Sequence, residues 1–120
     1  MTIARHDITS GTAPRMSRCV VNGDMVYLAG LTAADRSADI KGQTQQILDA
    51  IDGYLAKAGT DKSKLIAATI WLADMRDFAA MNEVYGSYFP AGGIPPVRST
   101  VEVANIPLGA RVEIDFIAAR

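Results

Sequence analysis

The sequence predicts an α+β fold, six strands and two helices in the order β-β-β-α-β-α-β-β, with both helices on one face of a mixed sheet. Three observations carry this reading. Apolar residues recur at 3.6-residue spacing in only two stretches, near 40–58 and 77–89. Shorter stretches alternate apolar and polar residues, or are apolar throughout, over strand-like lengths. Clusters of Gly, Pro, Asn and Ser separate them.

Ile3 to Ile8 is a short mixed segment that fits an edge strand, followed by turn chemistry from Ser10 to Pro14. Arg18–Val21 and Met25–Ala29 are β-prone runs around Asn22-Gly23-Asp24, a strong hairpin signal because Asn and Gly tolerate positive φ. Thr32 to Ala38 is a polar loop. Ile40, Ile47, Leu48, Ile51, Tyr54, Leu55 and Ala58 then form one helical stripe, with Asp39 as N-cap and Gly59 as the stop. Gly42 and Gly53 each weaken that helix by about 1 kcal/mol relative to Ala, and close packing against the sheet would explain them.

Leu65 to Ala73 is apolar in both alternating sets, Leu65, Ala67, Thr69, Trp71 and Ala73 on one side and Ile66, Ala68, Ile70 and Leu72 on the other. Such a strand is covered on both faces. The second helix, from about Asp77 to Phe89, carries the stripe Phe78, Met81, Tyr85, Tyr88 and Phe89. Pro95-Pro96 forces an extended entry to a strand from Arg98 to Ala104. In it Arg98, Thr100 and Glu102 share a face. The last strand, Arg111 to Ala119, sets Val112, Ile114 and Phe116 opposite Arg111, Glu113 and Asp115. Two helices can cover only one face of the sheet. The chain offers nothing else for the second, so another copy is expected there, and closed symmetric assemblies are the rule.

The 120 residues make a single domain spanning 1–120, large enough to bury roughly two-thirds of its unfolded surface. Net charge is −1 and the pI about 5.7, so no basic field draws in nucleic acid. One cysteine, Cys19, excludes an internal disulfide, and one histidine, His6, leaves any metal site short of ligands. Both read as structural or solvated residues. The first fifteen residues carry no apolar run of signal-peptide length, and no segment approaches a membrane span. The chain is therefore expected to be cytoplasmic, with no membrane or nucleic-acid partner. No GxSxG, P-loop, HExxH or GxGxxG motif occurs. What stands out is Arg98 opening a strand behind two prolines and Glu113 amid an apolar run, although alternation alone also allows both as solvated charges.

Residues 95–120 resemble the C-terminal signature of the Rid family, also called the YjgF type. The match runs Arg98-Ser99-Thr100-Val101-Glu102-Val103, then Ile106-Pro107-Leu108-Gly109, then Val112-Glu113-Ile114. Val26-Tyr27-Leu28-Ala29-Gly30, Gln43-Thr44, Asp74-Met75-Arg76-Asp77-Phe78 and Asn82-Glu83-Val84-Tyr85 fall in the order and spacing of that family. The resemblance implies a chorismate-mutase-like fold and a homotrimer with sites in the clefts between subunits. It implies hydrolysis of 2-imino or 2-enamino acids to 2-keto acids and ammonia, without cofactor or metal. By resemblance Arg98 binds the substrate carboxylate and Glu113 is the acid/base, with Gly30, Thr100 and Met16 beside the substrate. Met16 takes the place where many deaminating members carry tyrosine, and Thr100 the place where many carry cysteine, which marks a divergent branch.

The chemistry suits so small a set. An imine hydrolyses spontaneously, and one positioned acid/base contributes about 10²–10⁴-fold. A guanidinium fork grips a carboxylate through two parallel hydrogen bonds and so fixes the imine carbon. The alternative reading is a non-catalytic trimer of the same fold that binds small metabolites or proteins. A third is a related hydrolase acting on another small acid.

Overall fold

Gly23, at φ 62°, turns the chain between β2 (Ser17–Asn22) and β3 (Met25–Leu28), and Asn22 pairs with Met25 across a two-residue loop. Asn22 itself stays in the strand, so the glycine alone supplies the positive φ. The computed structural model describes residues 2–120. β1 (Ile3–Ile8) pairs with β2 at one sheet edge. β4 (Leu65–Leu72), β5 (Val97–Glu102) and β6 (Val112–Ala119) complete a six-stranded sheet in the order β1-β2-β3-β6-β4-β5. Only β4 and β5 are parallel. A parallel pair needs a crossover, and α2 (Phe78–Ser87) lies between them in the chain.

α1 (Ile40–Lys57) starts where the Asp39 side chain accepts a 2.8 Å hydrogen bond from the Gly42 amide. Its buried stripe contains Ile47, Leu48, Ile51 and Leu55, and also Gln43 and Thr44, which are fully buried although polar. Burial is tolerated because both are satisfied. Thr44 donates to the Ile40 carbonyl at 2.8 Å. Gln43 donates to the carbonyls of Ala38 (2.9 Å) and Arg36 (3.2 Å) and accepts from the Arg111 amide (3.0 Å), tying the 32–38 loop to the start of β6.

The two glycines of α1 have different causes. A Cβ on Gly42 would stand 2.9 Å from the Ala38 Cβ, so this glycine fits the capping loop rather than the sheet. A Cβ on Gly53 would meet nothing within 4 Å, so no packing explains it.

Both helices cover one face of the sheet. On that side Val26, Leu28, Ala68, Ile70, Leu72, Val112, Ile114 and Phe116 are buried against α1 and Met81 and Tyr85 of α2. A register shift between Leu65 and Ala67 corrects the strict alternation expected for β4. Leu65 faces the helices opposite Ala118, and Ile66 bulges outward. Phe78, assigned to the helical stripe, is instead 37% exposed at the start of α2.

The principal extents are 43 × 43 × 20 Å, a slab one sheet and one helix layer thick. The opposite face therefore stays open within the chain. It carries Tyr27 (43% exposed), Val101 (39%) and Val97 (72%) beside half-buried Trp71 and Ile117. Trp71 donates from its indole nitrogen to Asp115 Oδ2 at 3.0 Å across that face.

Candidate functional site

Glu113 stands second in β6, opposite Trp71, on the open side of the sheet. Beside it the chain from β3 returns to β6. The Leu31 amide donates to the Ile114 carbonyl (2.9 Å) and the Ile114 amide to that of Leu31 (3.1 Å), which fixes Gly30 against the Glu113 side chain. A Cβ on Gly30 would lie 2.5 Å from Glu113 Oε2, so only glycine leaves room for the carboxyl. Burial pushes the Glu113 carboxyl above the ordinary carboxylate range, and nearby Asp115 pushes it the same way.

A cleft of about 400 Å³ opens over this carboxyl. Gly30 and Glu113 form one part of its wall, with Arg18, Arg36, Pro107 and Leu108 around it. Leu108 sits at its rim, 79% exposed and at φ 60°. Sequence reasoning passed over Arg18 and Arg36. Arg18 lies within a β-prone run and Arg36 in a polar loop, and no local pattern brings either to Glu113.

Arg98 lies elsewhere. It pairs with Ala68, and Thr100 with Ile70, so both face the helix layer. The guanidinium rests 4.9 Å from the centre of the Tyr85 ring and 5.6 Å from that of Phe78. Its Nη1 donates to Asn82 Oδ1 at 2.7 Å, the one side-chain hydrogen bond it makes among the described residues. Asn82 was seen in sequence only as part of a motif; its spacing from Phe78 and Tyr85 places it one helical turn from each. Close to this arginine in the fold, Thr100 Oγ1 and Tyr85 OH are buried without a hydrogen-bond partner.

The structure therefore brings Gly30 to Glu113, and Thr100 to the side of the sheet that holds Arg98. It does not bring Arg98 and Glu113 together within one chain, since they stand on opposite faces two strands apart. Met16 lies outside the Glu113 cleft; its backbone is held to Thr9 by hydrogen bonds of 2.9–3.2 Å. Cys19 is fully buried, and burial raises its thiol pKa, which disfavours the nucleophilic thiolate. Among the described residues no group of three or more His, Cys, Asp or Glu side chains could hold a metal ion. Nor, among the described residues, is any helix long and apolar enough to cross a membrane.

Residues 9–120 match the family model described as Endoribonuclease L-PSP. The RutC family protein YoaB of Escherichia coli K12 is 39% identical over 119 residues, 99% of each chain. The Reactive Intermediate Deaminase A, chloroplastic, of Arabidopsis thaliana is 38% identical over 108 residues, 85% of this chain and 57% of that one. The crystal structure of YyfA from Yersinia pestis, described as a protein of unknown function of the conserved Rid family, superposes with a TM-score of 0.88 at 32% identity, covering 99% of this chain and all of that one.

Proposed function

Because the chain belongs to the family described as Endoribonuclease L-PSP, the Rid or YjgF type, we propose that it hydrolyses 2-imino and 2-enamino acids to 2-keto acids and ammonia. The observation that carries this reading is the Glu113 carboxyl, packed on Gly30 and pushed up by burial. A carboxyl whose pKa is raised is a stronger base than an exposed one and can both accept a proton from water and return it. Water adds to the imine carbon as Glu113 takes its proton. That proton passes to the nitrogen to give a carbinolamine. Glu113 then takes the hydroxyl proton as the carbon–nitrogen bond breaks and returns it to the departing nitrogen, which leaves as ammonia. An enamine is first protonated at carbon by the acid form. A relative named as a reactive intermediate deaminase supports this reaction class.

The carboxylate partner is Arg98, whose guanidinium keeps donors free of protein acceptors. Within one chain it faces away from Glu113, so the working site joins Arg98 of one copy to Glu113 of the next in a homotrimer. The open sheet face, with Tyr27, Val97 and Val101 exposed, is the surface such an assembly would cover. A net charge of −1 gives RNA no electrostatic footing despite the family's description.

Semicarbazide trapping of imine formed by an amino-acid oxidase tests the activity. The protein should speed loss of trappable 2-iminopropanoate. Arg98→Ala should abolish that effect while the fold persists. Glu113→Gln should lower kcat more than it raises KM. Unchanged imine decay with the wild-type protein defeats the reading.

A further inference from the structure

Two positive charges in the Glu113 cleft have no part in the reaction just described. Arg18 and Arg36 are both half-buried and both line it. The Arg18 side chain makes no hydrogen bond or ion pair among the described residues. Among the described residues the Arg36 guanidinium donates only to the Ala33 carbonyl, at a long 3.4 Å. Its sequence neighbour Asp35 is occupied by Ser37, through the backbone amide at 3.0 Å and the hydroxyl at 2.5 Å. Neither arginine neutralises Glu113, whose carboxyl is shifted upward by burial and Asp115. Half-desolvated guanidinium groups without acceptors are costly unless an anion supplies them.

The loop that presents Arg36 is also held in place. Buried Gln43 donates to the Arg36 carbonyl at 3.2 Å, and Gln46 accepts from the Asp35 amide at 3.0 Å. A charge fixed in this way loses little entropy when it receives a ligand.

We propose that the cleft takes a substrate with a second acidic group, a dicarboxylic 2-imino acid, whose distal carboxylate is held by Arg18 and Arg36. The proposal rests on the deaminase reading and names its substrate class. One carboxylate goes to Arg98 of the neighbouring copy and the imine carbon lies at Glu113. The remote carboxylate reaches the two guanidinium groups that line the cleft. A cleft of about 400 Å³ has room for a four- or five-carbon diacid. A monocarboxylic imine would leave both arginines unpartnered.

The test compares imines generated by oxidases from aspartate or glutamate with the imine from alanine, under semicarbazide trapping. kcat/KM should favour the dicarboxylic imine by about tenfold or more, the worth of a charge-assisted carboxylate contact. Arg18→Gln and Arg36→Gln, each checked for an intact thermal transition, should both reduce that preference. Two independent positions keep the test usable if one variant fails to fold. Equal turnover of the two imines by the wild-type protein overturns the proposal, as does an equal loss for both imines in the variants. If neither imine is turned over, the deaminase reading fails and the diacid site is judged by binding. Stabilisation by 2-oxoglutarate beyond that by 2-oxobutanoate, lost in Arg18→Gln, then supports it. Equal or absent shifts overturn it.

Discussion

The carboxyl of Glu113 lies directly on the Cα of Gly30. A methyl group there would stand 2.5 Å from Oε2 and 2.9 Å from Cδ, closer than atoms can approach. Gly30→Ala should therefore turn the carboxyl out of the cleft without unfolding the chain, because the clash is with a side chain and not with backbone. Imine turnover should fall about 100-fold, the scale of a lost acid/base, with little change in thermal midpoint. A full rate in that variant would show that catalysis does not use the position Glu113 holds against Gly30.

Glu113 also makes stability depend on pH. Its carboxyl titrates higher in the fold than its reference value of 4.5. Between those two values the folded state binds more protons than the unfolded one, so stability falls as pH rises through the window. Glu113→Gln removes the titration. The variant should match the wild type more closely near pH 4 and be the more stable of the two near pH 8. Thermal midpoints across that range give the answer, and parallel profiles would deny the shift.

Arg98 and Glu113 occupy opposite sides of one sheet, which makes the proposed shared site open to a mixing experiment. Arg98→Ala and Glu113→Gln chains should each be inactive alone. Unfolded together and refolded at equal amounts, they should regain about a quarter of the wild-type rate, the fraction of boundaries that combine an intact arginine with an intact glutamate. No recovery in verified mixed oligomers would place both residues' work within single chains, or in neither.

The glycines of α1 should respond in opposite ways. Gly53 is exposed in the helix with open space around it, so Gly53→Ala should stabilise by about 1 kcal/mol and raise the melting temperature by about 4 °C. Gly42→Ala would bring its Cβ to 2.9 Å from that of Ala38 and should destabilise. Calorimetry on the two variants separates packing from helix propensity.

Much of the fold was legible because periodicity is local. The stripe from Ile40 to Leu55 and the alternation of Val112, Ile114 and Phe116 needed no partner to be read, and all six strands and both helices fall where those patterns place them. Fully buried Gln43 and Thr44 broke the apolar rule because hydrogen bonds satisfy them, Thr44 by donating to the Ile40 carbonyl one turn back and Gln43 by accepting from the distant Arg111 amide. The bulge after Leu65 escaped notice for a similar reason, since its register is defined only against β6.

Residue types drew attention to Arg98 and Glu113, but alternation also allowed both as solvated charges, and only the family resemblance gave the two their roles. Alternation tells which residues of one strand share a face, but it does not relate one strand's faces to another's. That relation comes from pairing through β4, where Arg98 meets Ala68 and Glu113 meets Trp71. Only the tertiary structure could set the two on opposite sides of the sheet. It also placed Arg18, Arg36, Gly30 and Glu113 along one cleft, because pairings such as Leu31 with Ile114 join segments far apart in sequence.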